Sequence, residues 1–141
     1  MTRVEFFFNV EDKLQKLAEL SEKAIAKNVK LLMFTKNKEA ATEIQQYLWS
    51  LPQQFLPNYL ATDALASAAP IVVDWQGEKL FHDEVLVNLQ HSQPLFFSRF
   101  RRLIEIVGVD EADKADARVR YKFYRDRGYE IKSYDAAGKG I

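Results

Sequence analysis

Three short apolar runs, RVEFFF at 3–8, KLLMFT at 30–35 and PIVVDW at 70–75, are separated by stretches of helical length. This alternation constrains the fold more than any other feature of the chain. The runs are too short for stable helices and rich in β-branched and aromatic residues, so they read as strands, the first buried on both faces. Between the first two runs, Leu14, Leu17, Leu20 or Ala18, Ala24 and Ile25 recur at helical spacing within 11–28. Lys13, Lys16, Glu19, Glu22 and Lys23 take the opposite face. That is an amphipathic helix, with Asn9 placed as its cap.

A second helix is predicted over 38–50, capped by Asn37 and stopped by Pro52, with Ala41, Ile44, Tyr47 and Leu48 inward. Residues 52–70 have no clean period and read as a long loop, with one helical turn near 62–66. Residues 84–89 (EVLVNL) add a strand. A helix is predicted over 94–107, with Ser92 as cap and Pro94 near its start. Leu95, Phe96, Phe100, Leu103, Ile104 and Val107 would face inward, and Arg99, Arg101 and Arg102 outward. Gly108 would end it. Asp110, Glu111 and Asp113 favour another helix start through its dipole. That helix runs to about Gly128, followed by a strand at 129–134 and a frayed tail over 134–141.

The order β-α-β-α-β-β-α-α-β predicts an α/β fold: a mixed, mostly parallel sheet with helices on both faces. At 141 residues it is one domain, 1–141, with no linker or internal repeat. The absence of cysteine excludes thiolate zinc sites, iron–sulfur clusters and a cysteine nucleophile. Twenty basic residues against twenty acidic argue against a general nucleic-acid coat or a polybasic membrane anchor. No signal peptide or membrane span is read, which fits the cytoplasm.

Such folds often bind nucleotides, but the five glycines stand at 77, 108, 128, 138 and 140. None lies between the first strand and first helix, where a phosphate-binding loop belongs. The junction Phe8-Asn9-Val10-Glu11 is bulky and acidic. His82, beside Asp83 and Glu84, reads as a surface-loop histidine, since no other residues supply ligands at metal spacing. No nucleophile–base signature is found, so neither catalysis nor a cofactor is expected.

Two segments carry positive signals. In the last helix Lys114, Arg118, Tyr121, Lys122 and Arg125 form one stripe, with Val119 and Phe123 on a face suited to the core and Asp116–Arg120 as an i,i+4 pair. Successive like charges at i,i+4 cost an isolated helix about 0.2–0.5 kcal/mol each. The stripe suits an acidic peptide with an apolar anchor or a nucleic-acid backbone. It also suits a solvated face near the negative end of the helix dipole. The second segment, 47–60, is aromatic, proline-rich and uncharged. It reads either as packed core and loop or as a docking patch.

The sequence ARVRYKFYRDRGY (117–129) is similar to the C-terminal ARxRYKxYR-x-x-G-aromatic pattern of the chi subunit family of bacterial DNA polymerase III. YLWSLPQQFLPNYLA (47–61) resembles that family's LW-x-x-P…F-x-P-x-x-L stretch, and VEFFF fits its opening strand. The resemblance implies a non-catalytic accessory protein with a nucleotide-binding-like fold lacking the phosphate loop. It implies binding to the acidic, phenylalanine-ending tail of single-stranded-DNA-binding protein, and pairing with the psi subunit of the clamp loader. DNA would be reached indirectly, by a monomer or a heterodimer with psi. The implied tail site is Lys114, Arg118, Tyr121, Lys122 and Arg125, with Val107 as an apolar wall. The implied psi site is Phe55, with Leu56, Pro57 and Trp49 nearby. The acidic tract 108–116 should weaken tail binding by repulsion. The competing expectation is a module that binds single-stranded nucleic acid directly through the basic helix.

Overall fold

The computed structural model describes residues 1–51, 58–60 and 69–136. Its elements are β1 (Arg3–Phe8), α1 (Lys13–Ala26), β2 (Leu31–Phe34), α2 (Lys38–Trp49), β3 (Asn58–Leu60), β4 (Ile71–Asp74), β5 (Val85–Asn88), β6 (Arg102–Ile106), α3 (Glu111–Asp126) and β7 (Ile131–Asp135). The strands form one sheet in the order β3-β4-β2-β5-β6-β1-β7. Every pairing is parallel.

Side chains alternate along each strand, so each strand feeds two cores. Leu31, Met33, Ile71, Val73, Val85, Val87, Ile104 and Ile106 pack under α1 and α2. Leu32, Phe34, Val72, Leu86, Leu103, Val4 and Phe6 face α3 and the turn around Phe97–Phe100. A sheet covered this way must be apolar on both sides, which is why these strands show near-continuous hydrophobic runs. The crossovers from β1 through α1 and from β2 through α2 run toward β3. The crossover from β6 through α3 runs the opposite way, to β7. Right-handed connections in opposite directions place their helices on opposite faces.

Both long helices with a helical C-terminal signal end alike. Asn28 (φ 57°) and Gly128 (φ 80°) take the left-handed conformation just past α1 and α3. The next amides, of Val29 and Tyr129, return to the carbonyls of Ala24 and Tyr124 at 2.8 and 3.1 Å. This closes carbonyls that the helix would leave open.

Several expectations are corrected. The segment 94–107 is not a helix. A short 3-10 turn at Phe97–Arg99 leads into β6. Leu103, Ile104 and Val107 satisfy helical spacing, but LIEIV also alternates with a period of two, and its two sides meet different cores. Paired on both sides, by β5 and β1, the β-branched run gains more as a strand. Asn9 does not cap α1. It takes a left-handed conformation (φ 59°), and Asp12 caps the helix by accepting from the Gln15 amide at 3.1 Å. Asn58–Leu60, inside the expected loop, pairs with β4 as an edge strand. The last strand extends to Asp135, so Tyr134 and Asp135 are not a frayed tail. The expected helical turn at 62–66 lies outside the described residues.

Candidate interaction site on the last helix

In an opposed α/β sheet, ligands bind where neighbouring crossovers diverge, at the carboxyl ends of the strands. Here that point lies between β1 and β6. It opens into a crevice of about 640 Å³ lined by Asn9, Glu11, Asp12, Lys16, Glu19 and Lys114 among others. Both helix N-termini beside it are already satisfied by carboxylates. Asp12 caps α1, and Asp110 caps α3 by accepting from the Asp113 amide at 2.7 Å. Asp113 accepts from the Gly108 amide at 2.5 Å and pairs with Lys13 at 2.9 Å. Burial alone would push the Asp113 carboxyl up. The Lys13 and Gly108 hydrogen bonds and the charges of Lys13 and Arg120 overcome this and hold it below its ordinary value. A phosphate would therefore meet carboxylates where other members of this fold type offer free amides.

The outer side of α3 differs. Its buried face is Ala117, Arg120 and Tyr124. At about 100° per residue, Tyr121, Lys114, Arg125, Arg118 and Lys122 follow one another around the flank beside β1. Arg118, Lys122 and Arg125 are exposed, and Lys114 and Tyr121 are half-buried. The Tyr121 ring lies 5.3 Å from Phe6, which stacks on Phe8 at 5.5 Å. Arg125 pairs with its neighbour Asp126 at 3.3 Å, with both side chains mostly in solvent. The result is a ring anchored to the core and bordered by three exposed cations.

Val107 has no exposed surface, so a ligand cannot touch it. Val109, half-exposed, lines the crevice together with Lys114. Val119, expected in the core, is 69% exposed, while Phe123 is half-buried with the Arg127 guanidinium 3.6 Å over its ring. Trp49, at the end of α2, is 60% exposed. Phe55, Leu56 and Pro57 lie outside the described residues.

Sequence reasoning missed what sets the rotation of α3. Arg120 does not pair with Asp116 at the surface. It is buried, and its Nε donates to Glu105 at 3.0 Å. A second Arg120 nitrogen donates to the His91 carbonyl at 2.9 Å, while Asp116 lies 3.1 Å from the His91 ring. Glu105, fully buried in β6, also accepts from the Tyr124 hydroxyl at 2.5 Å and from Asn88 at 3.0 and 3.2 Å. Burial pushes the Glu105 carboxyl up, against the pull of Arg120, Tyr124 and Asn88. Burial and the Glu105 charge push the Tyr124 hydroxyl up as well. The available signal was an acid inside the apolar run LIEIV, together with an arginine spaced three and four residues from Ala117 and Tyr124.

His82 is half-buried rather than a surface-loop residue, with its ring edge-on to Phe100 at 5.6 Å. Its Nδ1 accepts from the Glu84 amide at 3.1 Å, and its buried Nε2 meets no hydrogen-bond geometry with a partner among the described residues. Burial holds its pKa below the ordinary histidine value. Among the described residues, no helix is long and apolar enough to cross a membrane.

Opposed crossovers define a doubly wound α/β domain, with carboxylates capping the helix starts beside its crevice and a basic face on its last helix. The chain matches the family described as "DNA polymerase III chi subunit, HolC" over residues 1–132. It is 34% identical over 106 residues to DNA polymerase III subunit chi of Haemophilus influenzae, covering 74% of each chain. It is 28% identical over 139 residues to subunit chi of Pseudomonas aeruginosa, covering 95% of this chain and 96% of the relative. The Escherichia coli subunit chi is 25% identical over 121 residues, with 84% and 82% covered. The chain belongs to the DNA polymerase III chi subunit family, a family of replication accessory subunits.

Proposed function

We propose that this chi-family protein links the polymerase assembly to single-stranded-DNA-binding protein by holding that protein's acidic C-terminal tail on α3. The observation that carries the reading is the half-buried Tyr121 ring, seated on Phe6 and bordered by Arg118, Lys122 and Arg125. The exposed cations suit tail carboxylates, and arginine can grip a terminal carboxylate with two parallel hydrogen bonds. The ring face suits a terminal phenylalanine. Val109 supplies exposed apolar surface near Lys114, in place of the buried Val107. Glu105 and Arg120 fix the helix rotation and so aim the stripe outward.

A second contact, to a psi-like clamp-loader subunit, uses the segment around Phe55, Leu56 and Pro57 with Trp49. Support for it comes from the exposed Trp49 ring and the uncharged composition of that segment. The protein acts in this reading as a non-catalytic connector.

Calorimetric titration with an acidic peptide ending in Pro-Phe tests the tail site. A short tail buries less than a standard interface, so the expected dissociation constant is on the order of micromolar. Removing the terminal phenylalanine should abolish most of the heat. Equal binding with and without that residue would overturn the assignment.

A further inference from the structure

The sheet face under α1 is not fully covered. Beyond α1, β1 and β7 present Glu5, Phe7, Lys132 and Tyr134 on that side, since Glu5 pairs with Lys132 and Phe7 with Tyr134 in register. A groove of about 330 Å³ opens there, with Leu20, Val29 and Ile104 among the residues of its apolar floor. Lys23 and Lys27 of α1 and Arg102 of β6 stand on its walls. Lys23, Lys27 and Lys132 are exposed, and their ammonium groups make no ion pair among the described residues. Arg102 holds Glu5 through two nitrogens, one of them at 2.9 Å, so the acid in the groove is already neutralised. At one end Phe7 and Tyr134 stack at 5.1 Å with planes 21° apart. Lys16 covers the other face of Phe7 at 4.1 Å, itself paired with Glu19. Tyr134 keeps 36% of its surface exposed on the edge strand.

A chain with no net formal charge has thus placed Lys23 and Lys27 on the wall of one groove and Lys132 on the same sheet face beside it, none in an ion pair among the described residues, where the groove ends in a stacked aromatic pair. A row of cations beside an aromatic platform is the chemistry that tracks a single-stranded nucleic-acid backbone while a base stacks on the ring. We propose that this groove, on the opposite side of the sheet from α3, binds single-stranded DNA directly. Phosphates run past Lys23, Lys27 and Lys132, and a base stacks on Tyr134. Lys23 and Lys27 are one helical turn apart, about 6 Å along α1, close to the spacing of successive phosphates. A platform already stacked on Phe7 loses little freedom when a base adds to it.

Fluorescence anisotropy of a labelled fifteen-nucleotide oligothymidylate at low salt tests this. Wild type should bind, with log affinity against log salt falling at a slope of roughly −2 for three phosphates. The double variant Lys23→Glu/Lys27→Glu lies on the exposed face of α1, so it should keep the circular dichroism of the wild type. It should weaken binding at least tenfold. Tyr134→Ala should weaken it about fivefold or more. Arg118→Ala/Lys122→Ala should leave it unchanged, while weakening the acidic tail peptide. No binding by wild type, unchanged binding by the Lys23/Lys27 variant, or equal loss in the α3 variant would each overturn the proposal. So would binding of an acidic peptide, but not the oligonucleotide, that depends on Lys23 and Lys27.

Discussion

Replacing Arg120 with methionine should destabilise the protein severely, and the loss should depend on pH. Arg120 is 2% exposed, and its guanidinium supplies both the countercharge to Glu105 and the donor to the His91 carbonyl. In Arg120→Met the apolar stem is kept, but Glu105 remains fully buried with Tyr124 and Asn88 as its remaining donors among the described residues. Breaking a buried ion pair from one side costs about 3–5 kcal/mol, because the remaining charge is uncompensated. A chain of 141 residues has an unfolding entropy of about 0.3 kcal/mol/K near its midpoint, so Tm should fall by roughly 10–17 °C. Burial already pushes the Glu105 carboxyl up, and removal of Arg120 pushes it further. A carboxyl whose folded pKa exceeds the unfolded value of about 4.3 favours folding at low pH and loses that contribution as pH rises through the folded value. The deficit of the variant against wild type should therefore be larger near pH 8 than near pH 5.5. Urea unfolding followed by circular dichroism at both values measures it. Adding Glu105→Gln should recover much of the loss. A deficit below about 1 kcal/mol, or one that does not change with pH, would refute the account of Arg120 as the countercharge.

Arg118→Ala should weaken binding of the Pro-Phe-ending acidic peptide by about 1.5–3 kcal/mol if it makes a charged hydrogen bond to the tail. Arg101→Ala, in an exposed contact with Asp83 at 3.9 Å, should change the calorimetric signal little. Phe55→Ala should weaken capture of a psi-like partner, by about 2 kcal/mol or more for an aromatic anchor, with tail binding and circular dichroism intact. His82→Leu should improve acid tolerance. Burial lowers the folded pKa of His82, so its contribution is present above about 6.5 and lost as pH falls through the folded value. Thermal melts near pH 5 and pH 8 would show no difference between variant and wild type if that ring did not resist protonation.

Much of the architecture was legible because the strands announce themselves by composition and the helices by period. RVEFFF, LLMF and IVVD could be little else in a chain of this kind, and the Leu17, Leu20, Ala24 pattern leaves α1 one side to bury. The region 94–107 failed for a physical reason. Phe100, Leu103, Ile104 and Val107 meet helical spacing, yet LIEIV also alternates, and only the neighbours β5 and β1 decide between the two. The stripe on α3 was legible as a helix face, because five residues at steps of four, three, one and three must share a side. Which arginine is buried was not. Arg118 and Arg120 differ by two positions, and the partner that draws Arg120 inward, Glu105, comes from another element. The groove beside α1 was hidden for the same reason, since Lys23, Arg102 and Tyr134 meet only through the sheet order.

That sheet order also dictates when the protein can take shape on the ribosome. Val4 of β1 pairs with Leu103 on one side and Ile131 on the other, so the first strand has no hydrogen-bonding neighbour until most of the chain has been made. At about 5–20 residues per second, the run Phe6-Phe7-Phe8 waits roughly 5–20 seconds for β6 to emerge. During that interval α1, β2, α2, β4 and β5 can assemble without it, because β2 pairs with β4 and β5. The nascent protein is thus a half-sheet trailing an unpaired aromatic strand, a template for joining other chains. Fragments that stop short of β6 should aggregate through that strand, and slow translation before Arg102 should increase the demand on chaperones.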